Sequence, residues 1–125
     1  MTSIVFLDRD SLPTAVPPLP LPHRWQDYPA TSPEQLLSHA SGAQVLLVAV
    51  PGLSLMAAAG HLSDHEVYAE TAKALKIPLH ADGWSTVLAD ARLRADSVHA
   101  NAAGYARFTD GLVQTLQSTG LLSKK

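Results

Sequence analysis

The sequence predicts an α/β fold with a small, mainly parallel sheet of three to four strands and flanking helices. Short apolar runs at 3–7, 44–50 and 77–80 read as strands, and segments with helical spacing follow each of them. Such alternation builds parallel sheets, because a helical crossover returns the chain to the same end of the sheet.

Ser3 to Leu7 is apolar and β-branched and stops at Asp8-Arg9-Asp10, as a buried parallel strand does. Seven of the nine prolines fall from Pro13 to Pro33. Proline lacks the amide hydrogen that helices and sheets need, so residues 11 to 30 are expected to form an extended, irregular arm. Thr31-Ser32-Pro33-Glu34 starts a helix, with a hydroxyl cap, proline at the first position and an early acid. That helix is expected to reach Ser41-Gly42 and to bury Leu36, Leu37 and Ala40.

Gln44 to Val50 is the strongest strand, apolar on both faces, and Pro51-Gly52 ends it. Ser63-Asp64-His65-Glu66 has capping-box spacing. Val67, Tyr68, Thr71, Ala72 and Leu75 then share a helical face. In Ile77-Pro78-Leu79-His80 the proline marks a strand start or an edge. A short helix or turn is expected at 84–94 around Trp84, Val87 and Leu88. The last helix opens near Asn101, carries Tyr105, Phe108, Leu112 and Leu116 at three- and four-residue spacing, and ends at Gly120. Function in such a sheet gathers where strands give way to loops. That singles out Asp10-Ser11, Pro51-Gly52 and the loop before Asn101.

The 125 residues suit one domain, 46% hydrophobic and 16% charged, which is enough to fill a core. There is no cysteine, so disulfides, thiolate metal sites and cysteine nucleophiles are excluded. The net charge is −2 and the basic residues are scattered, with only Arg92, Arg94 and Lys124-Lys125 close together. No basic stripe neutralises phosphates, and nucleic acid is not an expected partner. The N-terminus lacks a signal-peptide core, and the run from Val45 to Gly60 is too short and too interrupted to span a membrane. A cytoplasmic protein without a membrane partner is expected.

Two stretches resemble known families. Asp96-Ser97-Val98-His99-Ala100-Asn101-Ala102-Ala103-Gly104-Tyr105 is similar to the Asp-x-x-His-Pro-Asn-x-x-Gly-Tyr segment of SGNH (GDSL-type) ester hydrolases, departing from it at Ala100. With Val45 to Gly52, Tyr68 to Leu75, Ile77-Pro78-Leu79 and Val87 to Asp90, this extends a resemblance to the arylesterase-like group over about 45–122. It implies that His99 is the general base and that Asp96 orients it. By contrast, Ile4 to Pro13, Pro22 to Tyr28 and Thr31 to Gln35 resemble the start of D-isomer-specific 2-hydroxyacid dehydrogenases, over about 4–43. The chain therefore reads as a single α/β domain (1–125) joining a dehydrogenase-like segment (1–43) to a hydrolase-like segment (44–125), as a chimera or truncated fusion. Both families imply a three-layer, flavodoxin-like sheet. The two patterns seat strand 44–50 differently, beside the first strand in one and separated from it in the other.

No Gly-x-Gly-x-x-Gly is present, so there is no pyrophosphate seat and no cofactor is expected. Serine acyl transfer needs a nucleophile, a base, an orienter and oxyanion donors. Ser11 is the candidate nucleophile, because Arg9-Asp10-Ser11-Leu12 follows the first strand as Gly-Asp-Ser-Leu does in the SGNH family. Arg9, however, replaces a small glycine. Asn101 is the only asparagine and is committed to the helix start, so the family's asparagine donor is missing. Losing one such donor costs about a hundred- to a thousandfold in rate.

His61 and His65 stand four apart, but Ser63 to Glu66 is accounted for by capping, and no metal is expected. His23, in Pro-His-Arg-Trp, reads as a packing or surface histidine, His39 and His80 carry no constellation, and Trp25, Trp84 and Tyr105 read as core. A three-stranded sheet leaves apolar edges that a second copy could cover, so a homodimer or higher oligomer is expected. Two functions remain open. One is a weak or inactive carboxylic-ester hydrolase acting on a small ester through Asp96, His99 and Ser11. The other is a catalytically silent, self-associating α/β protein without a substrate.

Overall fold

Alternation at the start of the chain produces a one-sided strand. In β1 (Thr2–Phe6) Ile4 and Phe6 are half-buried while Ser3 and Val5 are exposed. It pairs in parallel with β2 (His23–Asp27), in register Thr2↔His23, Ile4↔Trp25 and Phe6↔Asp27. Phe6 and Trp25 share the covered face, ring centres 6.1 Å apart. The computed structural model describes residues 2–11, 20, 22–52 and 61–123. Leu12, Pro13, Pro17 and Pro18, the apolar run beyond Gly52, and Lys124-Lys125 lie outside them.

β2 corrects the expectation of an irregular arm over 11–30. Pro22 stands just before the strand, where its missing amide hydrogen costs no ladder bond. The strand itself alternates, with His23 and Trp25 half-buried and Arg24 and Gln26 exposed. That period of two is present in the sequence, inside a stretch where prolines otherwise signal irregular chain.

The protein is a mixed α/β chain with small parallel sheets, and it divides into two compact units, Met1–Ala43 and Gln44–Lys125. In the first, β1 and β2 are followed by α1 (Leu36–His39), only one turn long. Its expected burial is corrected: Leu37 is 85% exposed and Leu36 is exposed too. His39 turns inward instead, stacked on Tyr28 at 3.6 Å and 2.9 Å from the Thr31 hydroxyl. Gln35 Oε1 accepts from the Ser32 amide, so the expected start signal forms a turn before the helix.

In the second unit β3 (Leu47–Val48) pairs in parallel with β4 (Leu79–His80). The described strands therefore make two two-stranded sheets rather than one of three or four. The second ladder is short because Pro78 has no amide hydrogen to donate and Asp82 takes a left-handed conformation (φ 61°) just beyond His80. Its described residues also form α2 (Glu66–Leu75), α3 (Gly83–Ala89) and α4 (Ala102–Ser118).

The cap of α2 is also corrected. His65 is the N-cap, its Nδ1 accepting from the Val67 amide at 3.2 Å. Ser63 and Asp64 are occupied elsewhere: the Ser63 carbonyl takes the Gly52 amide, and the Asp64 carboxylate takes the Asp82 amide and the Ser85 hydroxyl. Of the expected α2 face only Ala72 is buried; Val67 and Leu75 are exposed. Among the described residues Ala49, Ala72, Val87, Leu88 and Ala100 are the buried apolar ones, with Ser85 and His80 buried as well. Around them Trp84 stacks on Phe108, ring centres 3.7 Å apart, and meets Tyr105 edge-on. Tyr105 is more than half exposed, which corrects its reading as core.

Candidate functional site

The loop from 90 to 101 is built by backbone closure. Arg94 bridges Ala100 in antiparallel fashion, and the Ala95 amide donates to the His99 carbonyl at 2.8 Å. Inside this closure Asp96 Oδ1 accepts from the amides of Val98 and His99, both at 2.8 Å, and Oδ2 lies 2.8 Å from His99 Nδ1. One carboxylate thus shapes the turn and holds the imidazole.

Asn101 anchors the loop to α4. Its Oδ1 accepts from the Gly104 amide at 3.0 Å as the N-cap, and its Nδ2 donates to the Arg92 carbonyl at 2.8 Å. A side-chain carbon at Gly104 would run into the Leu93 carbonyl oxygen, so only glycine lets the helix start this close to the loop. Each residue of the Asp-x-x-His-x-Asn-x-x-Gly pattern has a geometric task here, and the Asn101 amide is already used.

The amide of Val98, and after it the His99 side chain, hold the Asp96 carboxyl below its ordinary value. Asp96 is therefore ionised at neutral pH and can only accept, which puts the ring proton on His99 Nδ1. In the neutral imidazole this leaves Nε2 as the acceptor, on a side chain 66% exposed. The arrangement can orient an imidazole and present it as a base.

A cleft of about 170 Å3 adjoins the loop. Val50 and Pro51 line it from the end of β3, Trp84 and Leu88 from α3, Tyr105 from α4, and Val98 and Ala100 from either side of His99. The Pro51 turn and the loop before Asn101, both singled out in sequence, thus meet at one apolar cleft.

Ser11 belongs to the first unit. It ends a short 3-10 turn (Arg9–Ser11), and its hydroxyl donates to the Asp8 carbonyl at 2.7 Å. Of the three candidate site residues, the structure brings Asp96 and His99 into contact.

His65 serves as a helix cap, and among the described residues no group of three or more His, Cys, Asp or Glu could hold a metal ion. Among them, too, no helix is long and apolar enough to cross a membrane. One arrangement had no sequence signal. His80, 6% exposed, points Nδ1 at the Thr115 hydroxyl 2.7 Å away, while among the described residues its buried Nε2 has no hydrogen-bond partner. It underlies a groove of about 490 Å3 between α3 and α4, lined also by Asp82, Arg107 and Gln114. The partners stand 35 positions apart, beyond any local pattern.

No protein-family model, curated protein or solved structure matches this chain.

Proposed function

We propose that the protein is an incomplete SGNH-type carboxylic-ester hydrolase, in which Asp96 orients His99 and His99 acts as general base. The observation that carries this is the 2.8 Å contact between Asp96 Oδ2 and His99 Nδ1, made while two backbone amides fix the same carboxylate. A base needs a fixed tautomer and an open second nitrogen, and this pair has both. The same reading makes each half of the chain a piece of a flavodoxin-like, three-layer parent. Its support is the parallel pairing in both units and a unit boundary at Ala43/Gln44, where the two resemblances meet. With the Asn101 amide spent on the Arg92 carbonyl, the rate is low. The test is hydrolysis of p-nitrophenyl acetate by the whole chain and by His99→Ala: a His99-dependent rate supports the reading, and identical rates refute it.

A second reading, a catalytically silent protein that self-associates, is favoured by exposed Leu36, Leu37, Val45, Leu75 and Val98. Apolar surface left open in this way favours a second copy as cover. Sedimentation showing a stable monomer at micromolar concentration would remove it.

A further inference from the structure

We propose that His99 activates water rather than a serine hydroxyl, so that the chain hydrolyses esters in one addition and elimination without an acyl-enzyme. This rests on reading Asp96 and His99 as a base pair. Its own support lies in how the hydroxyl and the imidazole are engaged. The Ser11 proton is given to the Asp8 carbonyl. His99 Nε2 sits on a largely exposed side chain, its other nitrogen held by Asp96, so the ring is open to water.

The step balances. His99 Nε2 takes a proton from water as the water oxygen bonds to the ester carbonyl carbon. The carbon–oxygen bond to the alcohol then breaks, and the leaving oxygen takes the proton back from Nε2. Acid and alcohol depart, and His99 is neutral again.

The apolar cleft beside Val98 and Ala100, about 170 Å3 and lined also by Trp84, Leu88 and Tyr105, adjoins the His99 loop and offers a seat for an apolar acyl or alcohol group of the ester.

Positioned proton transfer contributes about a hundred- to ten-thousandfold, and an exposed base without the family's asparagine oxyanion donor belongs at the lower end. The experiment is stopped-flow hydrolysis of p-nitrophenyl acetate by the whole chain and by His99→Gln, with intact-mass analysis after diisopropyl fluorophosphate treatment. The expected result is a rate about a hundredfold above the variant, no burst of p-nitrophenolate and no covalent adduct. A burst of one product per chain, or an adduct that abolishes a His99-dependent rate, would overturn the water mechanism and leave the base reading standing. A rate unchanged by His99→Gln overturns both. His99 is exposed, and matching circular dichroism of the two chains establishes that the variant is folded.

Discussion

Gly104 and Leu93 approach so closely that the space for a side chain on Gly104 is already filled by the Leu93 carbonyl oxygen. This contact joins the first turn of α4 to the loop that carries Asp96 and His99. It explains in physical terms why a glycine follows the histidine at this spacing.

Gly104→Ala is accordingly expected to destabilise the chain, although alanine favours helices elsewhere. Overpacking of this kind costs about 1–3 kcal/mol. For a unit of this size each kcal/mol lowers Tm by about 4–8 °C. Thermal unfolding followed by circular dichroism checks it; a Tm equal to or above that of the parent contradicts the contact.

Asn101 has two separable jobs. Asn101→Asp keeps an oxygen to accept from the Gly104 amide but loses the donor to the Arg92 carbonyl; Asn101→Ala loses both. Removing an N-cap costs about 0.5–2 kcal/mol. Urea unfolding is expected to rank the parent above the aspartate variant and the aspartate variant above the alanine one.

The Asp96 carboxyl is held below its ordinary 3.8, first by the Val98 amide and next by the His99 side chain. A folded-state value below the unfolded one means stability that is complete above about pH 4 and lost as pH falls through the lowered value. Asp90, lowered to about 2 by its hydrogen bonds with Arg92, acts in the same direction. Asp96→Asn is expected to narrow the difference in Tm between pH 7 and pH 3. An unchanged difference would show that the carboxylate contributes nothing to the fold.

Thr115→Val leaves buried His80 without a partner on either nitrogen among the described residues. Leaving a buried polar group unmet costs about 1–3 kcal/mol. The expected result is a lower urea midpoint with an unchanged slope. Thr115→Ser, which retains the hydroxyl, is expected to recover most of the loss.

Local chemistry made several elements legible. Asn101 as the cap of the last helix and Gly120 at its end (φ 77°) follow from side-chain and backbone preferences within a few residues. So does the start of β4 after Pro78. The pairing of Asp96 with His99 is legible for the same reason, since three residues separate them and one turn closes both. Other features depended on distant partners. Leu36 and Leu37 read as buried by spacing alone, but His39 is the residue that finds a stacking surface, on Tyr28. Ser63 reads as the cap of α2, but the extended run beside Pro51 carries the chain past it and leaves His65 at the helix start.

By itself the sequence determined the first strand, the strand after Pro78, the Asn101 cap and Gly120 end of the last helix, and the Asp96–His99 contact. These are set by groups close along the chain, whose geometry the backbone already restricts. Only the tertiary structure decided that the described strands pair as two ladders, that His80 is buried against Thr115, and that Pro51 and the loop before Asn101 line one apolar cleft. Those outcomes depend on which surfaces exclude water together, and neighbours in sequence carry no record of that.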